Sequence, residues 1–133
     1  MTSYTLGATL DQPYEETVRA VRRALDDQGF GVLTEIDLRA TFKEKLDVDV
    51  APQIILGACR PPLAYEALQL DPSLATVLPC NVVVRAIDAN TTMVEAFSPD
   101  VMLGLSASAG LDMVATDARE RLTAMLMRLT EEN

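Results

Sequence analysis

Apolar residues recur with two different periods along the first third of the chain, and this predicts a strand, a helix and a second strand. Residues 4–10 and 30–36 are β-rich and are predicted to be strands. The segment 13–28 instead carries one apolar stripe at helical spacing, formed by Tyr14, Val18, Val21 and Leu25. Asp11 and Pro13 are expected to start this helix, and Gly29 is expected to end it in left-handed backbone.

The middle of the chain predicts a short helix, a buried strand and a further helix. In residues 37–46, Leu38, Phe42 and Leu46 are spaced four apart, which is typical of a short helix or an irregular turn. Residues 53–58 form a continuous apolar run, as a buried strand does. Gly57 inside the run predicts a bulge or a close backbone approach. A helix is then expected from Arg60-Pro61-Pro62 to Asp71-Pro72.

The last third predicts a hairpin, a loop and a long helix. Residues 81–87 and 93–97 are predicted strands joined by a turn at 88–90, and residues 98–110 are rich in Ser, Ala and Gly, as loops are. A helical apolar stripe then continues to the C-terminus. The element order β-α-β-(short α)-β-α-β-β-α predicts an α+β fold, with a mostly antiparallel sheet and helices on one face.

Length and charge narrow the class of protein. A chain of 133 residues fits a single domain over residues 1–133. The net charge of −9 argues against binding to nucleic acid or to an anionic membrane surface. The N-terminal residues do not resemble a signal peptide, and no apolar run is long enough to span a bilayer. We therefore expect a cytoplasmic protein with reduced cysteines and without a membrane or nucleic-acid partner.

The sequence contains no histidine, which excludes several classes of catalytic site. Nucleophiles activated by histidine and His-ligated zinc or haem sites cannot be built from this chain alone. The side chain best suited to proton transfer near neutral pH is missing as well. The sequence identifies no cofactor. The absence of these catalytic groups favours a protein that is not an enzyme.

Three segments in order resemble the family called domain of unknown function 302. They are residues 28–37 (QGFGVLTEID), residues 56–61 (LGACRP) with Ala64, Ala67 and Leu68 after them, and residues 78–84 (LPCNVVV). The resemblance covers residues 5–129. It implies a curved antiparallel sheet of the TATA-binding-protein-like class and a homodimer, but no agreed activity. Arg60 departs from the family pattern, which more often has Asn before the proline, so the helix cap there is in question.

The segment Cys59-Arg60-Pro61 is the best candidate for chemistry. Pro61 would place Cys59 at the N-terminus of a helix, where the helix dipole favours a thiolate and Arg60 could add positive charge. The alternative is a small buried cysteine that ends a strand. Cys80 has the same two interpretations. Together, Cys59 and Cys80 could form a disulfide or, within one chain or across a dimer, a weak site for soft metal ions, although no CxxC motif is present.

Two further positions are candidates for a binding site. Glu95 lies between apolar residues on a predicted strand, so it either belongs to a site or points into solvent by simple alternation. Ser106 lies in the small-residue loop 98–110, which could act as a lid over a cavity.

The preferred hypothesis is a non-catalytic, homodimeric module that binds or senses a small apolar ligand. The ligand is expected between the sheet and the last helix, near Cys59, Cys80 and the loop 98–110. A first alternative is a thiol-based redox or soft-metal-handling protein that uses Cys80 and Cys59. A second alternative is a structural subunit of a complex.

Overall fold

The structure is a computed structural model that describes residues 4–132. Its strands are β1 (Thr5–Leu10), β2 (Gly31–Asp37), β3 (Gln53–Cys59), β4 (Cys80–Asp88) and β5 (Thr91–Phe97). Its α-helices are α1 (Tyr14–Asp27), α2 (Leu38–Leu46), α3 (Pro61–Leu70), α4 (Val101–Leu105) and α5 (Leu111–Glu132). A 3-10 helix, Pro72–Val77, follows α3.

The five strands form one open sheet in the order β1-β5-β4-β3-β2, and every neighbouring pair is antiparallel. The register shifts between Val32 and Thr34 in β2, and again between Ala86 and Asp88 in β4. Such irregularities bend a strand and increase its local twist. The α+β class and the predicted element order are therefore confirmed.

One face of the sheet carries the hydrophobic core. Val82, Val84, Val94 and Ala96 are fully buried there. Helices α1 and α5 cover this face, and their fully buried contributions are Val21, Leu25, Leu122 and Met125. Because side chains alternate across a strand, the residues between the buried valines point to the other face of the sheet, which we call the open face.

The end of α1 follows the sequence prediction at Gly29. The amide N–H of Phe30 donates to the Leu25 carbonyl at 3.0 Å, and that of Gly29 donates to the Asp26 carbonyl at 3.0 Å. This is a Schellman arrangement, which requires left-handed backbone after the helix, and Gly29 has φ 82°. The start differs from the prediction: Pro13 is the N-cap residue, which makes no side-chain cap hydrogen bond, and the helix begins at Tyr14.

Two elements were not predicted. Helix α3 ends at Asp71 as predicted, but a new 3-10 helix follows at once, because the Asp71 carboxylate accepts a hydrogen bond from the Ser73 amide at 3.0 Å and caps it. Within the predicted loop 98–110, Val101–Leu105 forms the short helix α4. Met102 of α4 is buried, and Asp100 pairs with Arg119 of α5 at 3.0 Å. Tertiary contacts therefore fold a segment of weak helical propensity.

Helix α2 resolves the choice between a helix and an irregular turn in favour of a helix. The Asp37 carboxylate accepts a hydrogen bond from the Ala40 amide at 3.0 Å and caps it. None of its residues is buried, although Leu38, Phe42 and Leu46 repeat at helical spacing. Helix α2 thus contributes little to the core of its own chain.

Candidate functional site

A depression of about 660 Å³ lies on the open face of the sheet. Its floor comes from alternate positions of β4 and β5, with Asn81, Val83 and Arg85 on one strand and Glu95 and Phe97 on the next. The register explains this grouping: Val83 lies opposite Glu95, and Arg85 lies opposite Met93. The volume falls within the range of pockets that hold small molecules, about 300–1,000 Å³.

An ion pair crosses the floor of the depression. The Arg85 guanidinium donates to Oε1 of Glu95. The other carboxylate oxygen of Glu95 accepts a hydrogen bond from Oγ1 of Thr5 at 3.1 Å. The hydrogen bond from Arg85, followed by that from Thr5, holds the pKa of Glu95 below its usual value against the opposing effect of burial. Glu95 is therefore a paired carboxylate at neutral pH.

One wall of the depression runs from the end of the 3-10 helix to β4 and consists of Val77, Leu78 and Pro79. Pro79 approaches the sheet over Gly57. A Cβ atom added to Gly57 would lie 2.9 Å from Cγ of Pro79 and 2.1 Å from Oγ1 of Thr34. The side chains of Thr34 and Pro79, rather than another backbone, thus approach Gly57, and the register shift predicted as a bulge lies in β2 beside its partner Thr34.

Two side-chain amides also reach the depression. Gln53, on β3, lies opposite Arg85 of β4, and Asn81 lies near the start of β4. Among the described residues, neither amide group has a hydrogen-bond partner. Each offers one carbonyl acceptor and two N–H donors beside an apolar floor. The depression thus combines apolar surface with unused hydrogen-bonding groups.

The thiols lie elsewhere, at the end of β3 and the start of β4, beside the helices. Cys59, Arg60 and Cys80 line one narrow apolar slit of about 30 Å³, a volume of the order of one water molecule. Leu63, Met102 and Val114 pack around it. Apolar side chains of α3, α4 and α5 take up most of this space, so the region has room for little more than one water molecule, and a ligand site there remains a prediction.

Neither cysteine is activated by its surroundings. Burial raises the pKa of Cys59, and burial together with the nearby Cys59 raises the pKa of Cys80 to about 11. Both thiols are free. The raised pKa values favour the alternative of a protonated, packed cysteine over a reactive thiolate at neutral pH.

The start of α3 explains why the helix dipole does not help Cys59. Pro61 and Pro62 occupy the first two helical positions and have no N–H group. The amides of Leu63 and Ala64 both donate to the Arg60 carbonyl at 3.0 Å. The first three helical positions, Pro61, Pro62 and Leu63, are thus without a free N–H donor, which leaves little for an anion to bind there.

Arg60 does not supply positive charge to the thiols either. It is the N-cap residue of α3 and makes no side-chain cap hydrogen bond, as its departure from the family pattern suggested. Its buried Nε atom has no hydrogen-bond partner among the described residues. It packs over Gly29, where an added Cβ would lie 3.2 Å from Nε.

Ser106 lies away from both the thiols and the depression. Its hydroxyl donates to Oδ2 of Asp71 at 2.7 Å and lies 3.0 Å from the Ser108 hydroxyl. Ser106 thus ties the loop before α5 to the end of α3. Among residues 4–132, no cluster of three Cys, Asp or Glu side chains is arranged to hold a metal ion. No helix in that part of the chain has the length and apolarity needed to cross a membrane.

Of the six positions chosen from the sequence, only Glu95 contributes to the depression. The sequence analysis missed Arg85, Gln53 and Asn81. A usable signal was present, because a hairpin turn at residues 88–90 places Arg85 and Glu95 close together on one face. The run of valines from Val82 to Val84 concealed it, since a continuous apolar strand does not reveal which face each residue takes.

Comparisons with known proteins agree with this architecture. The model of the family described as "Domain of unknown function DUF302" matches residues 6–129. The chain is also similar to the crystal structure of an uncharacterized conserved DUF302 protein from Bacillus stearothermophilus. The TM-score is 0.86 and the sequence identity 27%, over 96% of this chain and 99% of that one. No curated protein matches. The chain therefore belongs to the DUF302 family.

Proposed function

We propose that the protein is a non-catalytic binding module, and that its small-molecule ligand occupies the depression on the open face. The observation that carries this proposal is the contrast between the two faces of the sheet. The open face has a depression of about 660 Å³ in which polar groups converge, whereas the slit in the helix layer measures about 30 Å³. Apolar pockets with a few convergent polar groups are the usual form of a ligand site.

The chemistry of the depression supports binding rather than catalysis. Proton transfer needs a group whose pKa lies near the working pH. Glu95 is instead held as a carboxylate by Arg85 and Thr5. The thiols, which would serve as nucleophiles, line the other cavity and have raised pKa values. The remaining polar groups of the floor, such as Gln53 and Asn81, bind and orient ligands through hydrogen bonds.

A fragment screen with a matched pair of variants tests the proposal. A library of small soluble fragments is screened against the wild-type protein by thermal shift. The hits are then measured on Asn81→Trp, which places a large ring in the depression, and on Met127→Trp, which adds the same ring to an exposed site on α5. Binding that is lost in the first variant and kept in the second supports the proposal. Equal binding to both variants contradicts it.

The proposal includes a homodimer. Exposed apolar side chains around α2 and the end of β2 support it, because Leu33, Ile36, Leu46 and Val48 each remain at least 45% exposed. Exposed large apolar side chains are characteristic of protein interfaces where they form a patch. A symmetric pair of chains is the commonest way in which such a surface is covered. Light scattering on the purified protein measures the oligomeric state directly.

A further inference from the structure

We infer that the open-face depression selects an uncharged small molecule that presents carbonyl or hydroxyl oxygens next to an apolar ring, a primary carboxamide being the simplest example. The inference rests on the proposed function, since it gives the ligand class of the same site. It follows from the charges, hydrogen-bonding groups and apolar surface that line the depression.

The depression is electrically neutral in a strongly acidic protein. The whole chain carries a net charge of −9, yet the charged residues that line the depression are Arg85 and Glu95, which neutralise each other. An anionic ligand would meet the repulsive field of the protein. A cationic ligand would need Glu95, whose two oxygens already accept hydrogen bonds from Arg85 and Thr5. A charged ligand of either sign would therefore lack a counter-charge.

The hydrogen-bonding groups suit a neutral polar head. The amides of Gln53 and Asn81 carry both donors and acceptors without a partner among the described residues. A carboxamide, lactam or hydroxyl group satisfies such groups without introducing a charge. The Arg85 guanidinium has further N–H groups beyond the one that binds Glu95, and a neutral carbonyl oxygen can accept from them.

The apolar surface suits a ring or a short hydrocarbon. Val83 and Phe97 form part of the floor, and Val77, Leu78 and Pro79 form the wall. A ligand with a polar head and an apolar body would place its body against the wall and its head over the polar residues. This pairing of surfaces favours an amphipathic ligand over a fully polar one.

Three probes of the same shape and different charge test the ligand class. They are para-toluamide, which is neutral, para-toluate, which is anionic, and para-toluamidine, which is cationic. Each is titrated into the wild-type protein at neutral pH and followed by amide and methyl chemical shifts. We expect para-toluamide to bind at the residues of the depression at least about tenfold more tightly than either charged probe, a difference of about 1.4 kcal/mol.

Variants of the ion pair provide the internal control. Glu95→Gln leaves the charge of Arg85 uncompensated, so the affinity for para-toluate relative to para-toluamide should rise by about tenfold or more. Arg85→Gln leaves the charge of Glu95 uncompensated, so the relative affinity for para-toluamidine should rise instead. The double variant should recover the preference for the neutral probe. Glu66→Gln, at an exposed site on α3, should behave as the wild type. Melting curves identify any variant that fails to fold, and the probe series on the wild type does not depend on the variants.

The outcomes separate this inference from the proposed function. If a charged probe binds at the depression of the wild type as tightly as para-toluamide or more tightly, the ligand class is wrong. The proposal that the protein is a binding module is then unaffected. Unchanged preferences in both single variants also overturn it. If none of the three probes shifts the residues of the depression, the ligand class is wrong, and the fragment screen alone then decides the proposed function.

Discussion

Arg85 and Glu95 form an ion pair across the β4–β5 hairpin, on the sheet face opposite α1 and α5. The two residues are diagonal neighbours, because Arg85 lies opposite Met93 and Glu95 lies opposite Val83. Thr5 on β1 binds the second carboxylate oxygen, so three strands fix the orientation of the pair. The pair gives the depression its polarity without giving it a net charge.

The ion pair should make stability depend on pH in a defined direction. The pKa of Glu95 is lowered in the folded state. Its contribution is therefore present above the unfolded-state pKa of about 4.3 and is lost as pH falls through the lowered folded-state pKa. Because the pair is partly exposed, Glu95→Gln should cost about 1 kcal/mol at neutral pH. Urea unfolding of the two proteins should show this difference shrinking from pH 5 downwards, taken as about the start of titration. A difference that grows on acidification would contradict the ion pair.

The cysteines should be slow to react in the folded protein. Burial raises the pKa of Cys80 to about 11, so the thiolate that reacts with iodoacetamide is scarce at neutral pH. Mass spectrometry should show Cys80 unmodified in the native protein and modified in urea, with Cys59 also slower than a free thiol. Cys80→Ser should bind fragments as the wild type does. Rapid modification of both thiols at neutral pH would restore the redox hypothesis.

Gly57 should be far less tolerant of a side chain than Gly104. A Cβ at Gly57 would lie 2.1 Å from Oγ1 of Thr34 and 2.9 Å from Cγ of Pro79, so Gly57→Ala should destabilise the fold by about 1–3 kcal/mol. It should also weaken fragment binding by moving the wall of the depression. Gly104→Ala in α4 meets no atom within 4 Å and should be neutral or mildly stabilising. Equal effects of the two substitutions on the unfolding free energy would show that Pro79 does not pack on Gly57.

The surface around α2 should carry the dimer contact. Light scattering of the wild type should give about twice the chain mass of 14.4 kDa. Leu46→Glu should convert the dimer to the monomer, because it places a charge on an apolar position that is 65% exposed in the single chain. Met127→Glu, on the exposed side of α5, serves as the matched control and should leave the mass unchanged. A wild-type mass of one chain would remove the dimer from the account.

The sequence predicts most of the fold because period and turn chemistry are local signals. The stripe through Val21 and Leu25 and the left-handed stop at Gly29 are encoded within a few residues of one another. Helix α4 cannot be predicted from local signals, because it depends on the burial of Met102 against other elements. The 3-10 helix escapes it because Asp71 caps a second helical segment directly after the first.

The candidate site was harder to predict than the fold, because it depends on which face each residue takes. Cys59 is of a reactive residue type, and Pro61 marks a helix start beside it, so the sequence pattern favours this segment as a site. The sequence alone does not show that the two prolines and the Arg60 carbonyl leave no free donor at the first three helical positions. Arg85 is not of a reactive residue type. Its role depends on its ion pair with Glu95, which lies ten residues away across the hairpin.

The most direct test of the account is a map of backbone amide shifts on adding the strongest fragment of the screen. We expect the shifted residues to cluster on the open face, at Gln53, Asn81, Val83 and Glu95, with little change in the helices. A map centred on Cys59, Met102 and Val114 would contradict it, because the ligand would then enter the slit that the structure shows to be filled.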